Sequence, residues 1–186
     1  MSLIRCFVAV DVEEPLIVAR VAELQEQLKA TGASIKLVEL ENLHLTLRFI
    51  GEVPLETVER IKAALEVVGF EPFTARFAGL GAFPDARRPR VVWVGVQEGA
   101  RELSELSAKV NAALSKLKLP KPEEEFTPHL TIARVKGGVG GLPRMLQEAS
   151  HVEVGSMLVD RFRLKKSTLT SRGPIYQTLY ERAARR

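Results

Sequence analysis

Two rhythms of apolar residues alternate along the chain. Short runs rich in branched and aromatic residues predict strands over 5–10, 43–50, 73–80 and 90–96, and again in "FTPHLTIARV", over 152–165 and over 175–180. Between them, apolar residues spaced by three and four predict helices. The first covers 13–30, with Leu16, Ile17, Val21, Leu24 and Leu28 as its stripe, and Pro15 fits its opening turn. A second covers 54–68 through Val58, Ile61, Leu65 and Val68. The clearest covers 100–117 through Leu103, Leu106, Val110, Leu114 and Leu117, and Pro120 and Pro122 stop it. "GGVGG" at 137–141 is a break before a short helix over 142–149.

The strand over 43–50 begins "HLTLRF" and the later one contains "HLTIAR", an offset of 85 residues from 44 to 129. A solenoid would repeat several times at a period of about 20 to 50 residues. One long offset, used once, instead predicts a duplication: two similar lobes related by an approximate two-fold axis, with the two motifs facing each other. At 186 residues the chain can form one large domain or two small lobes sharing an interface, and length alone does not choose.

Strand geometry sends successive side chains to opposite faces. His44, Thr46 and Arg48 are therefore expected on one face, and Leu45, Leu47 and Phe49 on the other. His129 and Thr131 separate from Leu130 and Ile132 in the same way. Two imidazoles across a cleft suit acid and base catalysis, because their reference pKa of about 6.5 makes both protonation states accessible. Threonine hydroxyls can donate to phosphate oxygens, and a nearby arginine can offset charge that builds on them. Alone, a histidine on a strand is more often structural; its repetition with threonine is what points to chemistry.

Composition narrows the alternatives. With 46% hydrophobic and 27% charged residues the chain reads as globular. Net charge is +4, compatible with a phosphate-rich partner and equally with a solvated basic surface. Cys6 is the lone cysteine, which excludes an internal disulfide and any cysteine cluster around zinc or iron, and its apolar surroundings predict a buried, inert thiol. Two histidines with threonine neighbours are too few ligands for zinc, so no metal or cofactor is expected. No Gly-x-Ser-x-Gly elbow appears. His151 lacks the threonine pattern and reads as structural or exposed; Trp93 reads as packing. Without a long apolar span or a signal-like start, the expected place is the cytoplasm, away from membranes.

The two motifs, His44-Leu45-Thr46-Leu47 and His129-Leu130-Thr131-Ile132, resemble the signature of the two-histidine (2H) phosphoesterases. More closely, "RCFVAVDV", "NLHLTLRFIGEV", "GAFPDARRPRVVWVGV", "FTPHLTIARV" and "SRGPIYQTLYE" make the chain similar, nearly end to end, to the RNA 2′,3′-cyclic phosphodiesterases, also described as 2′-5′ RNA ligases. The resemblance implies an α+β fold in which residues 1–186 form a single domain of two intertwined lobes, each an antiparallel sheet backed by helices, with the active site between them. It also implies hydrolysis of an RNA terminal 2′,3′-cyclic phosphate to a 2′-phosphomonoester, with His129 as base and His44 as acid. RNA ends, tRNA fragments among them, are the implied partners, and no obligate protein partner is.

Arg134 matches an arginine that follows the family's second motif. Strict alternation puts it on the face opposite His129 unless the strand ends or bulges first; Arg48 falls on the His44 face by the same rule. A non-catalytic protein that binds RNA ends or nucleotides is the competing reading.

Overall fold

The computed structural model describes residues 2–122 and 124–186. The elements run β1 (Leu3–Asp11), α1 (Pro15–Ala30), β2 (Ile35–Leu37), β3 (His44–Pro54), α2 (Leu55–Leu65), β4 (Phe73–Phe83) and β5 (Val91–Val96). They continue with α3 (Ala100–Leu114), β6 (His129–Val135), α4 (Leu142–Glu148), β7 (Glu153–Val159), β8 (Arg161–Thr170) and β9 (Gly173–Ala183). Pro15 opens α1 where its missing N–H is no loss. Gly32 closes it at φ +77°, the left-handed turn that glycine takes without strain.

All strand pairs are antiparallel, in a four-stranded sheet ordered β3-β1-β8-β9 and a five-stranded sheet ordered β2-β6-β5-β4-β7. The order β3-β1-β8-β9 corresponds to β6-β5-β4-β7, with β2 as an additional edge. The duplication is therefore visible in the topology. Each lobe is an antiparallel sheet backed by helices, as the α+β expectation held.

α1 and α3 are exchanged between the lobes, whereas α2 stays on β1 and β3 of the first sheet and α4 on β4 of the second. α1 follows β1 of the first sheet yet packs on β6 and β7 of the second, whereas α3 follows β5 of the second sheet yet packs on β3 of the first. Their stripes of Ile17, Val21, Leu24 and Leu28, and of Leu103, Leu106, Val110 and Leu114, are fully buried in one continuous core. At roughly 1.5–3 kcal/mol per large buried side chain, this joint burial is what holds two small sheets together.

One strand expectation is corrected. The stretch 152–165 is two strands in different sheets, β7 and β8, separated by Asp160. Their apolar alternation runs on with no turn sequence between them, so a single residue of crossover leaves no mark. Asp160 anchors it: its carboxylate accepts from Arg161 Nε (2.9 Å) and its carbonyl from the Ala184 amide (2.8 Å).

Candidate active site

β3 and β6 come together where the two sheets meet, and their exposed faces open into a cleft of about 730 Å³. His44, Thr46, His129, Thr131 and Arg134 all line it. The sequence expectation had brought the first four together; the position of Arg134, and the absence of Arg48, have a common cause in the backbone.

Each motif strand carries a bulge immediately after its threonine. Across the β1–β3 ladder, Val8 faces Arg48 and Ala9 faces Thr46, which leaves Leu47 extra. Across β5–β6, Val92 faces Ala133 and Trp93 faces Thr131, which leaves Ile132 extra. An extra residue reverses the alternation beyond it. Two consecutive residues are consequently buried in each copy, Leu47 with Arg48 and Ile132 with Ala133, and the next residue returns to the cleft: Phe49 in one lobe, Arg134 in the other.

The bulges are held from the side of the core. Ser107 Oγ on α3 donates to the Leu47 carbonyl (2.8 Å), and Gln25 Nε2 on α1 donates to the Ile132 carbonyl (3.0 Å) and the Val38 carbonyl (2.8 Å). Gln25, Arg48 and Ser107 are the buried polar residues among those described, and all three act here. Burial without a partner would cost each of them about 1–3 kcal/mol, so their hydrogen bonds specify where the strand may bulge.

Arg48 is thus corrected from a cleft residue to a buried tie. It is 8% exposed, Nη1 donates to Asn111 Oδ1 (2.6 Å), and Nη2 donates to the Pro120 carbonyl (2.6 Å). Arg48→Ala should lower unfolding stability by about 2–3 kcal/mol, since hydrogen bonds to a charged donor are lost and two acceptors are stranded. Catalytic turnover per folded molecule should change little. Denaturant unfolding beside an activity assay checks both halves of this expectation.

The two imidazoles are oriented alike. His44 Nδ1 lies 2.7 Å from the Asn42 carbonyl and His129 Nδ1 lies 2.6 Å from the Thr127 carbonyl, each two residues upstream. A carbonyl only accepts, which assigns a proton to Nδ1 in both rings and leaves Nε2 as the ring atom not held by the backbone. These tethers are backbone contacts and carry no signal in residue identity; Asn42 and Thr127 are not even alike.

Their surroundings differ. The His44 ring is half-buried, 5.0 Å from Phe7 and edge-on to Tyr176 at 5.3 Å. Burial lowers its pKa below the ordinary histidine value; the Asn42 carbonyl and Asp11 oppose that shift, while Lys165 and Arg134 reinforce it. Asp11 is the cross-strand partner of His44 and accepts from Arg163 Nη1 (2.6 Å) and Lys165 Nζ (2.8 Å). His129 instead meets the edge of Phe83 at 4.9 Å. Trp93 packs beside Phe83 at 5.3 Å and covers Gly81, where a methyl group would overlap its indole.

Cys6 is buried, and burial pushes its thiol up to about 11, as an inert thiol should behave. His151 lies exposed in the turn before β7, away from the cleft. No helix among the described residues is long and apolar enough to cross a membrane.

Two pseudo-equivalent lobes thus each deliver a histidine and a threonine from a bulged strand to one cleft. The LigT like Phosphoesterase family model matches the chain twice, over 12–93 and 94–176, and the chain belongs to that family within the 2H superfamily. Among its relatives, an RNA 2′,3′-cyclic phosphodiesterase of Aeropyrum pernix is 47% identical, over 88% of this chain and 94% of that protein. One of the same name from Methanothermobacter thermautotrophicus is 41% identical, over 93% and 95%. E. coli LigT, in its crystal structure complexed with 3′-AMP, matches 99% of both chains with a TM-score of 0.82 at 23% identity, which shows the shared fold.

Proposed function

We propose that the protein hydrolyses the 2′,3′-cyclic phosphate at the 3′ end of RNA to a 2′-phosphomonoester. The observation that carries this reading is the pair of tethered imidazoles whose free Nε2 atoms belong to one cleft, beside two threonines and an arginine. The names of relatives at 41–47% identity support the choice of substrate.

His129 Nε2, neutral, takes a proton from water as the water oxygen bonds to phosphorus. The bond from phosphorus to O3′ breaks, and His44 Nε2–H gives its proton to the departing oxygen. The products are a 2′-phosphate and a free 3′-hydroxyl. Thr46 and Thr131 hydroxyls donate to the non-bridging oxygens, and Arg134 offsets their growing charge. A 5′-hydroxyl in place of water would yield a 2′-5′ linkage from the same residues.

Assigning the acid role to His44 has a pH signature. Burial favours its neutral form in the free cleft, and a bound phosphate anion favours its charged form. The alkaline limb of kcat/KM, which reports free enzyme, should therefore lie at lower pH than the alkaline limb of kcat, which reports the complex. Coincident limbs would contradict that assignment. The decisive test is product analysis of an RNA ending in a 2′,3′-cyclic phosphate, in the presence of a chelator. A 2′-phosphate is expected; binding without turnover would leave the non-catalytic alternative, and a 3′-phosphate would reassign the leaving group.

A further inference from the structure

The cleft extends beyond the groups that one phosphate can occupy. Beyond Arg134, the cleft-facing side of the chain continues to Lys136. Lys36 on β2 is the cross-strand partner of Arg134, which places it on the same face. The β8–β9 hairpin reaches this rim from the other sheet: Asn42 Nδ2 donates to the Pro174 carbonyl (3.0 Å), and Lys36 Nζ lies against Gly173. The hairpin brings Arg172 to the same end of the cleft.

Lys36, Lys136 and Arg172 are all exposed, and none forms an ion pair with a described residue. Glu39 is the one carboxylate among the described lining residues, so this end of the cleft keeps a surplus of positive charge. Leu169, 67% exposed, adds an apolar surface beside it. From His129 to Lys136 the chain advances six strand steps once the bulged residue is discounted, or about 20 Å. That exceeds the reach of a single nucleotide.

A 2′,3′-cyclic phosphate ends its chain, so every further phosphate lies on the 5′ side. We propose that Lys36, Lys136 and Arg172 form a track for the phosphates of those upstream nucleotides, making a single-stranded oligoribonucleotide end the preferred substrate over a mononucleoside cyclic phosphate. This inference rests on the RNA-end reading above. A cationic groove with an apolar flank follows a single strand without reading its bases.

The test compares the wild type with a Lys36→Gln/Lys136→Gln/Arg172→Gln variant on two substrates: cytidine 2′,3′-cyclic phosphate, and an oligoribonucleotide ending in the same cytidine cyclic phosphate. Salt is varied from about 50 to about 500 mM in each case. On the oligonucleotide, kcat/KM should fall at least about tenfold at low salt, and the slope of its logarithm against log salt should flatten by about 2, near 0.7 for each cation removed. Turnover of the mononucleotide should stay the same. Equal losses on both substrates, or no loss on the oligonucleotide, would overturn the track. Should the wild type turn over neither substrate, the functional reading fails instead, and fluorescence anisotropy of the labelled oligonucleotide still decides the track by the same change in salt slope. Thermal unfolding of the variant, with all three changes at the surface, should match the wild type.

Discussion

His129→Ala and His44→Ala should each lower kcat on RNA ending in a 2′,3′-cyclic phosphate by about 10²–10⁴-fold, the ordinary contribution of a positioned acid or base. Both rings are tethered through Nδ1 to a main-chain carbonyl, so their removal leaves the strands and their bulges in place. Because acid and base serve one transition state, the double variant should lose much less than the product of the single losses. The roles can be separated with sulfur at the 3′ position. A thiolate leaves without needing a proton, so a 3′-thio cyclic substrate should restore most of the rate to His44→Ala and none to His129→Ala. Equal recovery in both variants would reject the division of labour while keeping the site.

The second large effect is at Arg134. Arg134→Ala should reduce kcat by about 10²–10³-fold, the range for removal of one donor that stabilises developing charge. Arg134→Lys should recover part of this, since an ammonium keeps the charge but loses the planar pair of donors. The contrast with Arg48 is the informative part of the measurement. Both arginines follow an HLT motif, yet replacing Arg48 should move the unfolding midpoint and replacing Arg134 should move the rate. A similar loss of rate at both positions would mean that the cleft depends on Arg48 through the strand it ties to α3.

The apolar rhythms were sufficient to locate α1, α2, α3 and most strands, because stripes such as Leu103, Leu106, Val110 and Leu114 have no other use. The paired histidines and threonines were also readable, since they precede the bulges and obey simple alternation. Beyond the threonines the rule fails. In "HLTIARV" the break can be seen in retrospect, for Leu130, Ile132, Ala133 and Val135 are buried and no period of two fits them. In "HLTLRFI" it is disguised, because the buried position is the charged Arg48 and the cleft position is the apolar Phe49. Ser107 and Gln25 gave no sign of their task; a hydroxyl or amide on a helix stripe reads as an imperfection until the bulged carbonyl it serves is known. Lys36, Lys136 and Arg172 lie in three separate segments, and only the folded chain gathers them.

The exchange of covering helices has a consequence for how the molecule is made. β1 is synthesised well before its neighbour β8: the Asp11–Arg163 ion pair spans 152 residues of sequence. Until β8 arrives, β1 keeps an unpaired edge and His44 lacks Tyr176, while α1 has no second sheet to cover. Contacts of such long range slow folding because chain entropy must be surrendered before they form. A ribosome-bound N-terminal half should therefore be unable to pre-assemble its own lobe, and the cleft should appear at one late step, together with the rest of the core.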